Sequence, residues 1–73
     1  MQAFDPENGA EHLVGRPVAD VERDLILATL KETGGNRTHA AAMLCISIRT
    51  LRNKLGAYAS DGYEIPEAGQ SAH

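Results

Sequence analysis

The run Thr33–Ser47, TGGNRTHAAAMLCIS, constrains the fold more tightly than any other part of this chain. Two adjacent glycines end whatever helix precedes them, because glycine takes the left-handed terminal conformation without steric cost. Asn36 is a good N-cap for the next helix, and the three alanines of RTHAAAML favour helix while leaving it slim. A helix that short does not persist alone and must pack on its neighbours. Ser47, just beyond Cys45, can cap a third helix. Such close punctuation predicts an all-α fold of short helices lying across one another.

The flanks supply the partners. Pro17 suits a helix start, where its missing N–H is not needed. Val18, Val21, Leu25 and Ala28 then recur at helical spacing to Thr33, with Ile26 and Leu30 as a second apolar row beside Leu27. Asp20, Glu22 and Asp24 sit early in this segment and Lys31 late, the polarity that the helix dipole favours. The apolar surface is wider than one small neighbour needs, so the helix is either central in the domain or also meets a partner chain. The third helix is expected to reach about Tyr58. Around it Ile48, Leu55 and Tyr58 fall within roughly 60° of Leu51. Arg49, Arg52 and Asn53 fall on the far side, Thr50 and Lys54 on a flank, and Gly56 on the exposed side. Residues 1–12 read as a flexible lead or linker end, 13–58 as the domain, and 59–73, SDGYEIPEAGQSAH preceded by Ala59, as an irregular, mobile tail.

Seventy-three residues make one small domain near the lower size at which a core holds alone, and such chains often recruit a second copy. The lone cysteine rules out an intrachain disulfide, no signal-peptide pattern opens the sequence, and no apolar run approaches the roughly 18 residues of a membrane span. A reduced, soluble, cytoplasmic protein without membrane contact is expected. The net charge of −3 conceals a sharp division. Residues 1–35 carry seven acids against three bases, residues 36–55 carry Arg37, Arg49, Arg52 and Lys54 with no acid, and residues 56–73 add Asp61, Glu64 and Glu67. The positive segment can attract phosphates in spite of the acidic remainder, since salt screens charges beyond about 10 Å.

Two short helices joined by a tight turn, the second bearing exposed arginines, are the ingredients of a helix-turn-helix. The first helix needs a small residue where the second crosses it, and Ala41 is in place. Four positions on, the turn favours glycine, and Cys45 stands there. Ile46 follows as an apolar plug, and Leu51 and Leu55 point inward. Arg49, Arg52 and Asn53 are left for base edges.

The segments VERDLILATLKETGGNRTHAAAML, IS and RTLRNKL together resemble the Fis-type helix-turn-helix at the C-terminus of NtrC-family transcriptional activators, and within it the FlbD-type flagellar gene regulators. The resemblance covers about Leu13 to Tyr58. It implies a homodimer paired through its N-terminal helices, here through Val18, Val21, Leu25 and Ala28, with two recognition helices set in successive major grooves of double-stranded DNA. It places Asn36 and Thr38 at the phosphate backbone, with Arg37 and Lys54 also positioning phosphates, and assigns base readout to Ser47, Arg49, Thr50, Arg52 and Asn53. Members of this family act on sigma-54 RNA polymerase through an ATPase domain. No phosphate-binding glycine loop occurs in this chain, which therefore reads as the DNA-binding domain alone. Two departures stand out. Ile48 occupies a position where Fis-type motifs often carry a basic residue, and Cys45 replaces the turn glycine at a cost on the order of 1 kcal/mol.

Other chemistries find little support. Cys45 lacks a base among His12, His39 and His73 in any catalytic arrangement, and these residues have no metal-ligand spacing. His39 reads as a solvent- or phosphate-facing residue, and the Asn36-Arg37-Thr38 sequon as a coincidence. No cofactor, metal or enzymatic activity is expected. Beside the activator reading stand two alternatives: a free-standing Fis-like nucleoid protein, and a protein-interaction module using the Val18–Leu30 face.

Overall fold

The computed structural model describes residues 11–67. Among the described residues a 3₁₀ turn, Glu11–Leu13, precedes three helices: α1 (Val18–Glu32), α2 (Arg37–Leu44) and α3 (Ile48–Ser60). No strand occurs among the described residues. Pro17 sits one position before α1, at its N-cap, and its carbonyl accepts from the Asp20 and Val21 amides at 3.0 and 3.2 Å. Asn36 and Ser47 cap α2 and α3 as expected, accepting from the His39 and Thr50 amides at 2.9 and 3.0 Å. Each side chain thereby satisfies one of the amides that a helix start leaves without a backbone partner.

All three helices stop by the same device. The Gly35 amide returns to the Leu30 carbonyl, the Ile46 amide to Ala41 and the Tyr63 amide to Tyr58, while the residue before each bonds three positions back, Gly34 to Lys31, Cys45 to Ala42 and Gly62 to Ala59. This is the Schellman pattern, which requires a left-handed residue at its centre. Gly34 (φ 68°) and Gly62 (φ 95°) meet the requirement freely, and Cys45 (φ 59°, ψ 38°) meets it with a side chain present. Cys45→Gly relieves that strain and partly offsets the gain by loosening the unfolded chain. The net expectation is about 0.5–1 kcal/mol of added stability and a melting temperature a few degrees higher. Thermal unfolding followed by circular dichroism measures it, and a lower melting temperature would show that the thiol makes a contact worth more than the strain.

The core is small and drawn from every helix: Ile26 and Leu30 of α1, Ala40 and Ala41 of α2, Leu51 and Leu55 of α3. Leu27, Leu44, Ile46, Ile48, Tyr58 and Ile65 pack against it from the edges. Ala40 and Ala41 are the reason three helices fit around so few large side chains. With only a methyl at each position, the α2 backbone comes close to both neighbours. Of the two apolar rows on α1, the Ile26–Leu30 row enters this core. The other stays outside, with Val18 83% and Leu25 56% exposed, Ala28 exposed and Val21 half-buried.

The expected tail beginning at Ala59 needs correction where it is described. α3 continues to Ser60, and residues 63–66 lie back against α1 and the start of α2. Tyr63 meets Tyr58 edge to face at 6.5 Å between ring centroids, and the Arg23 guanidinium lies 4.4 Å from the Tyr63 ring centre. Arg23 is held in turn by Asp20 and Asp24 at 3.2 Å, and Arg16 pairs with Asp24. The hydrogen bond from Arg16 keeps the Asp24 carboxyl below its ordinary range. Ile65 packs on the core, and the Pro66 carbonyl accepts from Arg37 Nη1 at 3.2 Å. The reason is non-local: three apolar or aromatic side chains in a glycine- and proline-bearing segment find a surface that only the folded domain presents. Most of the expected lead, 1–12, lies outside the described residues, as do residues 68–73.

Candidate nucleic-acid interface

The α3 helix presents two unlike faces. Leu51 and Leu55 are buried, Ile48 and Tyr58 half-buried, and Arg49, Arg52 and Asn53 exposed, as the helical wheel predicts. Burial pushes the Tyr58 phenol above its ordinary range, and the charge of Glu22 adds to the effect. At the start of α3 the Ser47 hydroxyl accepts from the Thr50 amide and donates to Thr50 Oγ1 at 2.9 Å. Ser47 is thus occupied as a cap, while the Thr50 hydroxyl keeps its own proton to donate. The exposed arginines and asparagine carry side chains suited to base edges in a major groove, arginine to guanine and asparagine to adenine.

Around α2 the expected phosphate-facing residues divide. Asn36, Thr38 and His39 are exposed. Arg37 is half-buried and turned toward its own chain, with Nη1 donating to the Gly35 carbonyl at 2.9 Å as well as to Pro66. Lys54, on the flank of α3, is also engaged: its Nζ lies 3.2 Å from Glu22 Oε1 of α1. The structure therefore gathers Arg49, Arg52 and Asn53 on one open face with Ser47 and Thr50 at its leading end. It ties Arg37 and Lys54 into the fold. Sequence reasoning missed Arg23, the most heavily engaged cation of α1, and Glu22, whose partner is 32 positions away. The acidic first turns of α1 read as dipole compensation alone, and nothing local marks either contact.

Cys45 is exposed in its turn, and among the described residues no group of three His, Cys, Asp or Glu side chains is placed to hold a metal. No described helix is long and apolar enough to cross a membrane.

Comparison with known proteins agrees with this geometry. Residues 17–58 match the family described as bacterial regulatory protein, Fis family. Over 53 residues the chain is 58% identical to transcriptional regulatory protein FlbD of Caulobacter vibrioides, which covers 73% of this chain and 12% of that protein. It is 51% identical over 49 residues to transcriptional regulatory protein ZraR of Salmonella typhi, covering 67% of this chain and 10% of the relative. It is 50% identical over 40 residues to ZraR of Klebsiella oxytoca, covering 55% and 9%. The chain thus spans about a tenth of the length of these relatives. No solved structure matches it. The matched span, 17–58, runs from the N-cap of α1 through the turn at Cys45 to the third turn of the arginine-bearing helix. The chain belongs to the Fis family of bacterial regulatory proteins, as a three-helix domain carrying the helix-turn-helix of NtrC-type regulators.

Proposed function

We propose that this chain reads double-stranded DNA as a homodimer, serving as the DNA-binding part of a sigma-54-dependent activator of flagellar genes. The observation that carries the DNA reading is the open face of α3. A helix fixed at its start by Ser47 and anchored by Leu51 and Leu55 presents Arg49, Arg52 and Asn53 away from the core. Asn36 and Thr38 at the start of α2 flank the same motif and supply phosphate contacts. The exposed row of Val18, Leu25 and Ala28, with half-buried Val21, supports dimerisation. Two such rows facing each other would shield apolar surface that one copy leaves in water. The flagellar assignment follows the similarity to FlbD, and the link to sigma-54 polymerase belongs to domains outside this chain. A cytoplasmic, nucleoid-associated location follows from the same reading.

Gel-shift titrations on random and on selected duplexes, at several salt concentrations, test the proposal. Salt-dependent binding that favours the selected duplex supports it, and equal affinity for both points instead to a nucleoid protein of weak sequence choice. Absence of binding at low salt leaves the protein-interaction module as the working function.

A further inference from the structure

Residues 36–55 contain no acid of their own, yet the fold brings one to them. Glu22 projects from α1 and pairs with Lys54 at 3.2 Å, with about half of the glutamate side chain and a third of the lysine side chain exposed. Lys54 lies one helical turn beyond Thr50, between the buried Leu51–Leu55 face and the open arginine face. A carboxylate oxygen at this spot offers the lysine what a DNA phosphate offers, a negative oxygen at hydrogen-bond distance. The arrangement is weak enough to be reversed. An exposed ion pair contributes about 0–1 kcal/mol, and a lysine ammonium on its four-carbon stem can swing between acceptors.

We propose that Glu22 is an affinity-setting residue, an internal competitor that occupies Lys54 and withholds one phosphate contact from DNA. This rests on the DNA-binding reading above. Free protein keeps Lys54 on Glu22, and binding must exchange that partner for a backbone phosphate. Part of the Lys54–phosphate contact is thereby cancelled, and the salt dependence of binding falls short of what the number of basic residues implies. The acid-free segment is therefore less strongly positive in the folded chain than in the sequence, tempered by a residue of α1.

The test uses the full chain and a random-sequence duplex, because phosphate contacts do not depend on sequence. Binding is measured by fluorescence anisotropy between about 50 and 200 mM salt, the range over which such contacts weaken steeply, for the wild type, Glu22→Gln, Lys54→Gln and the double variant. Glu22→Gln should tighten binding several-fold at low salt and steepen the slope of log K against log salt by up to about 0.9, the value for one added phosphate contact. In the Lys54→Gln background the same change should do nothing, since the residue being competed for is gone. An equal gain from Glu22→Gln in both backgrounds would overturn the proposal, because general charge repulsion would then explain it. Weaker binding by Glu22→Gln would overturn it too, showing that Glu22 holds Lys54 in place for DNA. If the wild type and all variants fail to bind at low salt while melting normally, the DNA-binding reading itself falls, and this proposal with it.

Discussion

Leu51→Ala lowers the melting temperature by roughly 15 °C or more. Leu51 is fully buried in the core that α3 forms with Ala40 and Ala41, and among the described large side chains it shares that status with Leu30. Removing a buried leucine side chain costs about 3–4 kcal/mol through lost transfer energy and the cavity left behind. The slim α2 helix can collapse only slightly into that space, because its backbone already lies against both neighbours. A domain of this size holds about 4–10 kcal/mol in total, and each kcal/mol moves the melting temperature by about 4–8 °C. Met43→Ala is the matched control. Met43 is 54% exposed on the same motif, and its truncation should cost less than about 0.5 kcal/mol. Chemical denaturation of the two variants decides the matter, and similar small losses for both would show that the core lies elsewhere.

The second large effect is on recognition. Arg52→Ala should weaken binding to a duplex selected from a randomised pool by about 1–3 kcal/mol, the discrimination carried by one good bidentate base contact. That corresponds to roughly a five- to 150-fold change in dissociation constant. Binding to random DNA should fall much less. Arg52 is exposed, so the melting temperature should stay within a degree or two of the parent protein. An equal loss on both duplexes would assign Arg52 to the phosphates and leave Arg49 and Asn53 as the base-reading pair.

What could be read from the chain without its fold was mostly what short-range chemistry controls. Pro17, Gly34, Asn36, Cys45 and Ser47 each set a helix end within a residue of the observed one, because caps and left-handed stops are decided by a few neighbouring atoms. The inward and outward faces of α3 followed from the helical period, and the family resemblance followed from motifs lying within α1 to α3. The contacts that escaped are long-range. Glu22 with Lys54, Arg23 with Tyr63, and Arg37 with Pro66 each join positions 29 to 40 apart, and nothing in local composition distinguishes a solvated charge from a paired one. The segment after α3 misled for the opposite reason. Its glycine and proline suggested irregular chain, which it is, but irregular backbone can still be docked. Tyr63, five residues after Tyr58 and followed by Ile65 in an otherwise polar stretch, was the available clue.

That docked segment also bears on how the domain could be moved between proteins. The family match ends at Tyr58, and a chimera cut there would carry the whole helix-turn-helix. It would nevertheless leave behind the closing turn of α3, the ring that covers Arg23, the isoleucine that seals one edge of the core, and the carbonyl that holds Arg37. The transplantable unit in this chain is longer than the motif that identifies it, and takes in residues 59–67 as well.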